Sequence, residues 1–176
     1  MIREIEGASI DRFPFDNLRL ISDLIYFEGP LLSYFKDNRD QHYLYYWCDS
    51  DDMYNRWLVF KTTERTLREF LTQQLTLRDL ILACNHEPMY LVDINDELQY
   101  AHIVQAPRSS DLPADYIPET DTYYDASLSV FHDEQATREL MIMVQRALQD
   151  VQAKLRMVEQ VVAKSPEEIH AALSTS

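Results

Sequence analysis

The sequence predicts an α+β fold, a mainly antiparallel sheet with short packed helices and a long C-terminal helix. Three observations lead there. Aromatic and β-branched runs are separated by short polar turns rather than crossovers, which pairs neighbouring strands antiparallel. Two apolar segments near the middle of the chain start at threonines and carry helical spacing. From Glu134 to Lys164 there is neither glycine nor proline, and apolar residues recur every ~3.5 positions.

Taken in order, Leu24 to Phe27 reads as a strand. It is closed by Glu28-Gly29-Pro30, where Gly29 is able to take a positive φ and Pro30 fixes the exit. Leu31 to Phe35 and His42 to Cys48 flank the polar stretch Lys36 to Gln41 and form a hairpin. In the second run Tyr43, Tyr45 and Trp47 point one way and Leu44, Tyr46 and Cys48 the other. Both faces are apolar or amphipathic, as in a central strand, and Trp47 or Tyr46 is expected to be largely buried. Arg56 to Thr62 returns as a third strand.

Between these strands lies Asp49-Ser50-Asp51-Asp52. Asp, Ser and Asn favour turns because their side chains bond the local backbone. The competing reading is a cation site of Asp49, Asp51 and Asp52, but the glycine and distal glutamate of a calcium loop are missing. The turn from Cys48 to Asn55 is the better reading.

Thr63 caps a helix to about Gln73, with Leu67, Phe70 and Leu71 inward, and Thr76 caps a second with Leu77, Leu80, Ile81 and Cys84 inward. Met89 to Ile94 and Leu98 to Val104 form another hairpin around Asn95-Asp96-Glu97. Residues 105–133, punctuated by Pro107, Pro113 and Pro118, are a long irregular connection whose second half has room for a short edge strand. In the last helix Met141, Val144, Leu148, Val151, Leu155, Val158 and Val162 form a coiled-coil seam for self-association. Ser165-Pro166 starts a further short helix. The organisation expected is therefore an α+β domain over residues 1–133 and a helical self-association segment over 134–176.

With 46% apolar and 11% aromatic residues, the chain has material for a core. No apolar run reaches the ~18 residues of a membrane span, and the N-terminus lacks a secretory pattern. Two unpatterned cysteines, Cys48 and Cys84, read as buried free thiols, and the location expected is cytoplasmic. A net charge of −14 repels nucleic acid and anionic membranes and favours a basic protein partner. The charge is concentrated: residues 85–133 hold ten acids and one base, whereas residues 134–164 hold four acids and five bases.

Three strings, "YFEGPLLSYF", "YLYYWCDSDDMYNRWLVF" and "LTLRDLILAC", resemble a family of small uncharacterised bacterial and phage-encoded domains. That family places a "GPLL" turn, an aromatic "W-x-D-x-D" hairpin and an "L-R-D-L-I" helix in the same order. The resemblance covers about Leu24 to Cys84 and implies a bacterial or phage origin, with no activity or catalytic residue to carry over.

Only Gly7 and Gly29 are present, which excludes glycine-rich phosphate loops. The five histidines show no metal-ligand spacing, and no serine sits in a nucleophile elbow. No cofactor is implied. The reading expected is a non-enzymatic interaction or regulatory protein that docks a basic partner and self-associates as a dimer or higher oligomer, with nucleic-acid mimicry of a DNA-binding enzyme's substrate as its extreme form. Its docking surface is placed on Asp111, Asp115, Tyr116, Glu119, Asp121, Tyr123, Tyr124 and Asp125, because tyrosine among acids supplies contact area that solvation alone does not need. The alternative is a small metal-dependent hydrolase using Asp49, Asp51 and Asp52 with His42 or His132. The plainest alternative is that the acids only keep the protein in solution.

Overall fold

The computed structural model describes residues 7–11, 14–15, 17–84, 87–106 and 108–162. The short helix expected at Ser165 lies outside them. One eight-stranded antiparallel sheet is formed by β1 (Ala8–Ser9), β2 (Arg19–Tyr26), β3 (Pro30–Lys36), β4 (His42–Ser50), β5 (Asn55–Thr62), β6 (Met89–Ile94), β7 (Tyr100–Ala106) and β8 (Val130–Phe131). Their order is β1-β7-β6-β5-β4-β3-β2-β8, so consecutive strands from β2 to β7 are neighbours. Helices α1 (Glu64–Leu71) and α2 (Leu77–Ala83) connect β5 to β6, and α3 (Glu134–Val162) follows β8. The α+β fold with a long C-terminal helix is as the sequence predicts.

Both faces of the sheet are covered, as the amphipathic alternation of β4 requires. On one, Leu44, Leu58, Phe60 and Leu91 pack with Leu67 and Phe70 of α1 and Leu77, Leu80 and Ile81 of α2. On the other, Tyr45, Val59, Tyr90, Val92 and Ile103 lie under Ile10, Phe15 and Leu18. The N-terminal stretch thus covers the second face, and Gly7 admits it: a Cβ there would stand 2.8 Å from the Gln105 carbonyl oxygen. Neither Trp47 nor Tyr46 is largely buried. Both are half-buried in the middle of β4, and the deep aromatic positions of that strand are Tyr43 and Tyr45.

Helix capping follows the sequence. The Thr63 hydroxyl accepts from the Thr66 N–H, and Thr76 forms a reciprocal capping box with Asp79. The turns depart from it. At the β2–β3 turn Glu28 takes the positive φ, 53°, and Gly29 does not. β2 also begins five residues earlier than expected, at Arg19. β4 runs on through a bulge to Ser50, so Asp49 is a strand residue and only 51–54 form the turn.

Asn17, Asp40, Gln73 and Leu98 also occupy the left-handed region. Leu98 is the costliest of them, with a φ of 61° and 81% exposure at the tip of the β6–β7 hairpin. Left-handed backbone costs a side chain about 1–2 kcal/mol, part of which glycine returns as extra freedom of the unfolded chain. Leu98→Gly should therefore raise the unfolding free energy by about 0.5 kcal/mol in urea melts. A loss of stability would mean that Leu98 makes a contact its exposure conceals.

Candidate functional site

The connection from β7, second from one edge of the sheet, must cross to β8 at the other edge. Six strand spacings separate these strands, about 29 Å at ~4.8 Å each. It crosses on the helix-bearing face, pinned at every stage. Tyr116 donates to Asp49 Oδ2 at 2.6 Å. Arg78 Nη1 donates to the Pro118 carbonyl at 3.0 Å, and Leu77 N–H to the Thr122 carbonyl at 2.7 Å. Gln73 Nε2 donates to the Tyr124 carbonyl at 2.9 Å, and the Tyr124 and Ser129 hydroxyls lie 2.8 Å apart.

Two of the expected docking residues are therefore anchors. Tyr116 is 2% exposed and Tyr124 is buried, both inside the helix-side core. Leu112, Tyr116, Pro118 and Tyr124 turn inward at irregular steps, which leaves the acids outside. Asp111, Asp115, Glu119, Asp121, Asp125 and Tyr123 are all exposed. Tyr116 and Tyr124 therefore drop out of the expected docking set, of which these six are on the surface. Of the three tyrosines in the expected set, two are buried rings and Tyr123 alone is exposed.

The Tyr116 anchor belongs to a polar network that the sequence did not reveal. Arg56 of β5 grips Asp93 of β6 through two bonds, Nε to Oδ1 at 2.6 Å and Nη2 to Oδ2 at 2.8 Å. Both side chains are buried. Arg56 Nη1 also donates to the Tyr116 hydroxyl at 3.2 Å, so the chain Asp93, Arg56, Tyr116, Asp49 joins three strands to the crossing loop. Burial opposes the Arg56 charge, but Asp93 and Tyr116 more than offset it and hold the guanidinium protonated. Burial first, and then Asp49, push the Tyr116 hydroxyl up to about 12, so it remains a donor at neutral pH. The available signal was a charged residue in each of two apolar strand runs, Arg56 in one and Asp93 in the other.

The hydrolase constellation is not brought together. Asp49 is held by Tyr116, and Asp51 Oδ1 accepts from the N–H groups of Met53 and Tyr54 in its own turn. His42 stands at the opposite end of β4, seven residues from Asp49, about 23 Å along the strand. His132 lies beyond the β8 edge, where its Nε2 is 2.7 Å from Asp23 Oδ2. Ser33 donates to the other oxygen of Asp23. The carboxylate stands between serine and histidine, so His132 is not placed to take the serine proton as a nucleophile's base must. Burial pushes both the Cys48 and Cys84 thiols up, which keeps them from the reactive thiolate form. Among the described residues no group of three metal-ligating side chains converges.

A cavity of about 400 Å³ lies where α1 and α3 meet the sheet, lined by Tyr34, Lys36, His42, Glu64, Arg68 and Arg146 among others. The Tyr34 hydroxyl is 2.7 Å from His42 Nδ1, and burial together with the nearby Lys36 charge presses His42 below its ordinary value. Its residues come from four separate elements, and nothing in their sequence spacing joins them.

The helix α3 starts firmly. Asp133 accepts from the Ala136 N–H at 2.9 Å and pairs with Arg19 at 2.6 Å, and the Ala136 bond holds its carboxyl below the usual range. Ala136, Leu140 and Ala147 are then buried on the domain. Val144, expected in the seam, is half-buried against this same core. After Ala147 every described residue of α3 is exposed. Leu155 is 59%, Val158 60% and Val162 76% exposed, while Leu148 and Val151, nearer the domain, are 45% and 37% exposed. Fifteen residues of helix, about 22 Å, thus reach past the domain as an arm.

Among the described residues no helix is long and apolar enough to cross a membrane. Neither the curated proteins nor the solved structures hold a match to the chain. A family model does match, over residues 15–172, from within the N-terminal covering segment to beyond the arm of α3, and the chain belongs to that family of unknown function, DUF6575.

Proposed function

We propose that this is a non-enzymatic interaction or regulatory protein of bacterial or phage origin, which self-associates through α3 and docks a basic protein on its acidic crossing loop. The observation that carries the reading is the arm. An apolar stripe at heptad spacing continues for fifteen residues after its own domain has ended, and a stripe of that kind is covered in a working protein. The loop supports the second half of the reading. Its buried tyrosines fix one shape, so the exposed acids present a pre-organised anionic surface with little ordering entropy to lose on binding. Self-association multiplies that surface and raises avidity without a new contact. A pre-arranged row of carboxylates is also what phosphate mimicry requires.

The docking half is tested by replacing Asp115, Glu119, Asp121 and Asp125 together with Asn or Gln. None of these side chains is buried, and the amide oxygen of Asn at 125 can keep the bond that Asp125 accepts from the Ser127 N–H, so the fold should be retained. Recovery of a basic partner from the native host should fall at least tenfold and should weaken steeply with salt in the natural protein, as exposed charges are screened beyond ~10 Å at 0.1 M. Unchanged recovery, with the fold intact, would show that the acids only keep the protein in solution.

A further inference from the structure

Resting on the self-association proposed above, we infer that two arms pair antiparallel, with Val151 opposite Val162 of the second copy and Leu155 opposite its Val158. Three observations lead to this geometry. The first is continuity. Leu140, Val144, Ala147, Val151, Leu155, Val158 and Val162 follow steps of four, three, four, four, three and four, which is one helix face. Up to Ala147 the chain's own sheet and α1 cover that face. A parallel partner in register needs its own 140–147 turns over the same stretch, a space the domain already fills. An antiparallel partner needs only the bare part and leaves its domain at the far end.

The second observation is the spacing of the outer part of the arm. Beyond Leu148, which lies nearest the domain and outside the paired stretch, Val151, Leu155, Val158 and Val162 step by four, three and four, which reads the same in either direction. Reversed on itself, the stripe therefore presents an apolar residue to an apolar residue at every layer, the self-complementarity that a two-fold interface demands. The third is charge. The chain carries −14, but residues 148–162 hold Asp150 and Glu159 against Lys154 and Arg156. Two copies of an acidic protein meet there without like-charge repulsion, whereas a basic partner is drawn to the acids of the crossing loop. In the antiparallel register Gln152 flanks Glu159 of the second copy and Lys154 flanks its Val161, so no like charges face each other.

Cysteine pairs distinguish the arrangements. Val151 and Val162 are eleven residues apart, about 16 Å along the helix. A disulfide needs Cα atoms within ~7 Å. The full-length variants Val151→Cys and Val162→Cys are oxidised mildly, each alone and after mixing, and linked peptides are identified by mass so that Cys48 and Cys84 are told apart. We expect the 151–162 link in the mixture, at least tenfold above either homotypic link. A 151–151 link from Val151→Cys alone shows parallel pairing, and a dimer with no link in any mixture shows another register. Either result overturns this inference and leaves self-association standing. No link together with a monomer in sedimentation overturns both.

Discussion

Arg56→Leu should lower the unfolding free energy by about 3–5 kcal/mol, the cost typical of stranding one partner of a buried ion pair. Asp93 would keep its burial and lose both bonds that satisfy it. The Tyr116 hydroxyl would lose one of its two partners. For a chain of this size, the melting midpoint should fall by roughly 10 °C. The double variant Arg56→Leu with Asp93→Leu removes both charges, and most of the loss should be recovered, since a buried pair contributes little net stability against apolar packing. Chemical denaturation of the two variants beside the natural chain decides the matter. Equal destabilisation by the single and the double variant would mean that the network matters through Tyr116 and the loop, not through the unpaired charge.

The second large effect is on assembly. Leu155→Asp should weaken self-association at least a hundredfold while leaving the circular dichroism spectrum unchanged. In the lone chain Leu155 is mostly exposed, so the aspartate costs the monomer nothing in packing. In the pair each copy contributes one carboxylate to a dry seam, where an unpaired charge is strongly disfavoured. A hundredfold corresponds to about 2.7 kcal/mol, a modest demand on two buried carboxylates. Loss of helix content in the variant would point instead to α3 folding only when paired.

The strands from β2 to β7, their antiparallel pairing and all three helices were legible in the sequence because alternation and helical spacing are local signals. Tyr43 to Cys48 alternate, Thr63 and Thr76 cap, and residues 134–162 carry no breaker. What escaped had a non-local cause. Glu28, not Gly29, takes the left-handed backbone because the strand geometry on either side sets the turn. Trp47 is less buried than Tyr43 and Tyr45 although all three share one alternation phase, a difference that alternation does not encode. Tyr116 and Tyr124 turned inward because the loop crosses the whole helix-bearing face, which follows from β7 and β8 taking opposite sides of the sheet. The cover over the second face came from the N-terminal stretch, whose few apolar residues, Ile10, Phe15 and Leu18, show no periodicity. The Arg56 network joins residues up to 67 positions apart, beyond any spacing rule.

The most direct test of pairing through the arm of α3 is the solution mass of the natural chain. Light scattering coupled to size-exclusion chromatography, at tens of micromolar protein, should give twice the 20.8 kDa of one chain, and Leu155→Asp should give 20.8 kDa under the same conditions. A mass of 20.8 kDa for the natural chain would contradict the account, leaving the stripe from Val151 to Val162 bare of any second copy.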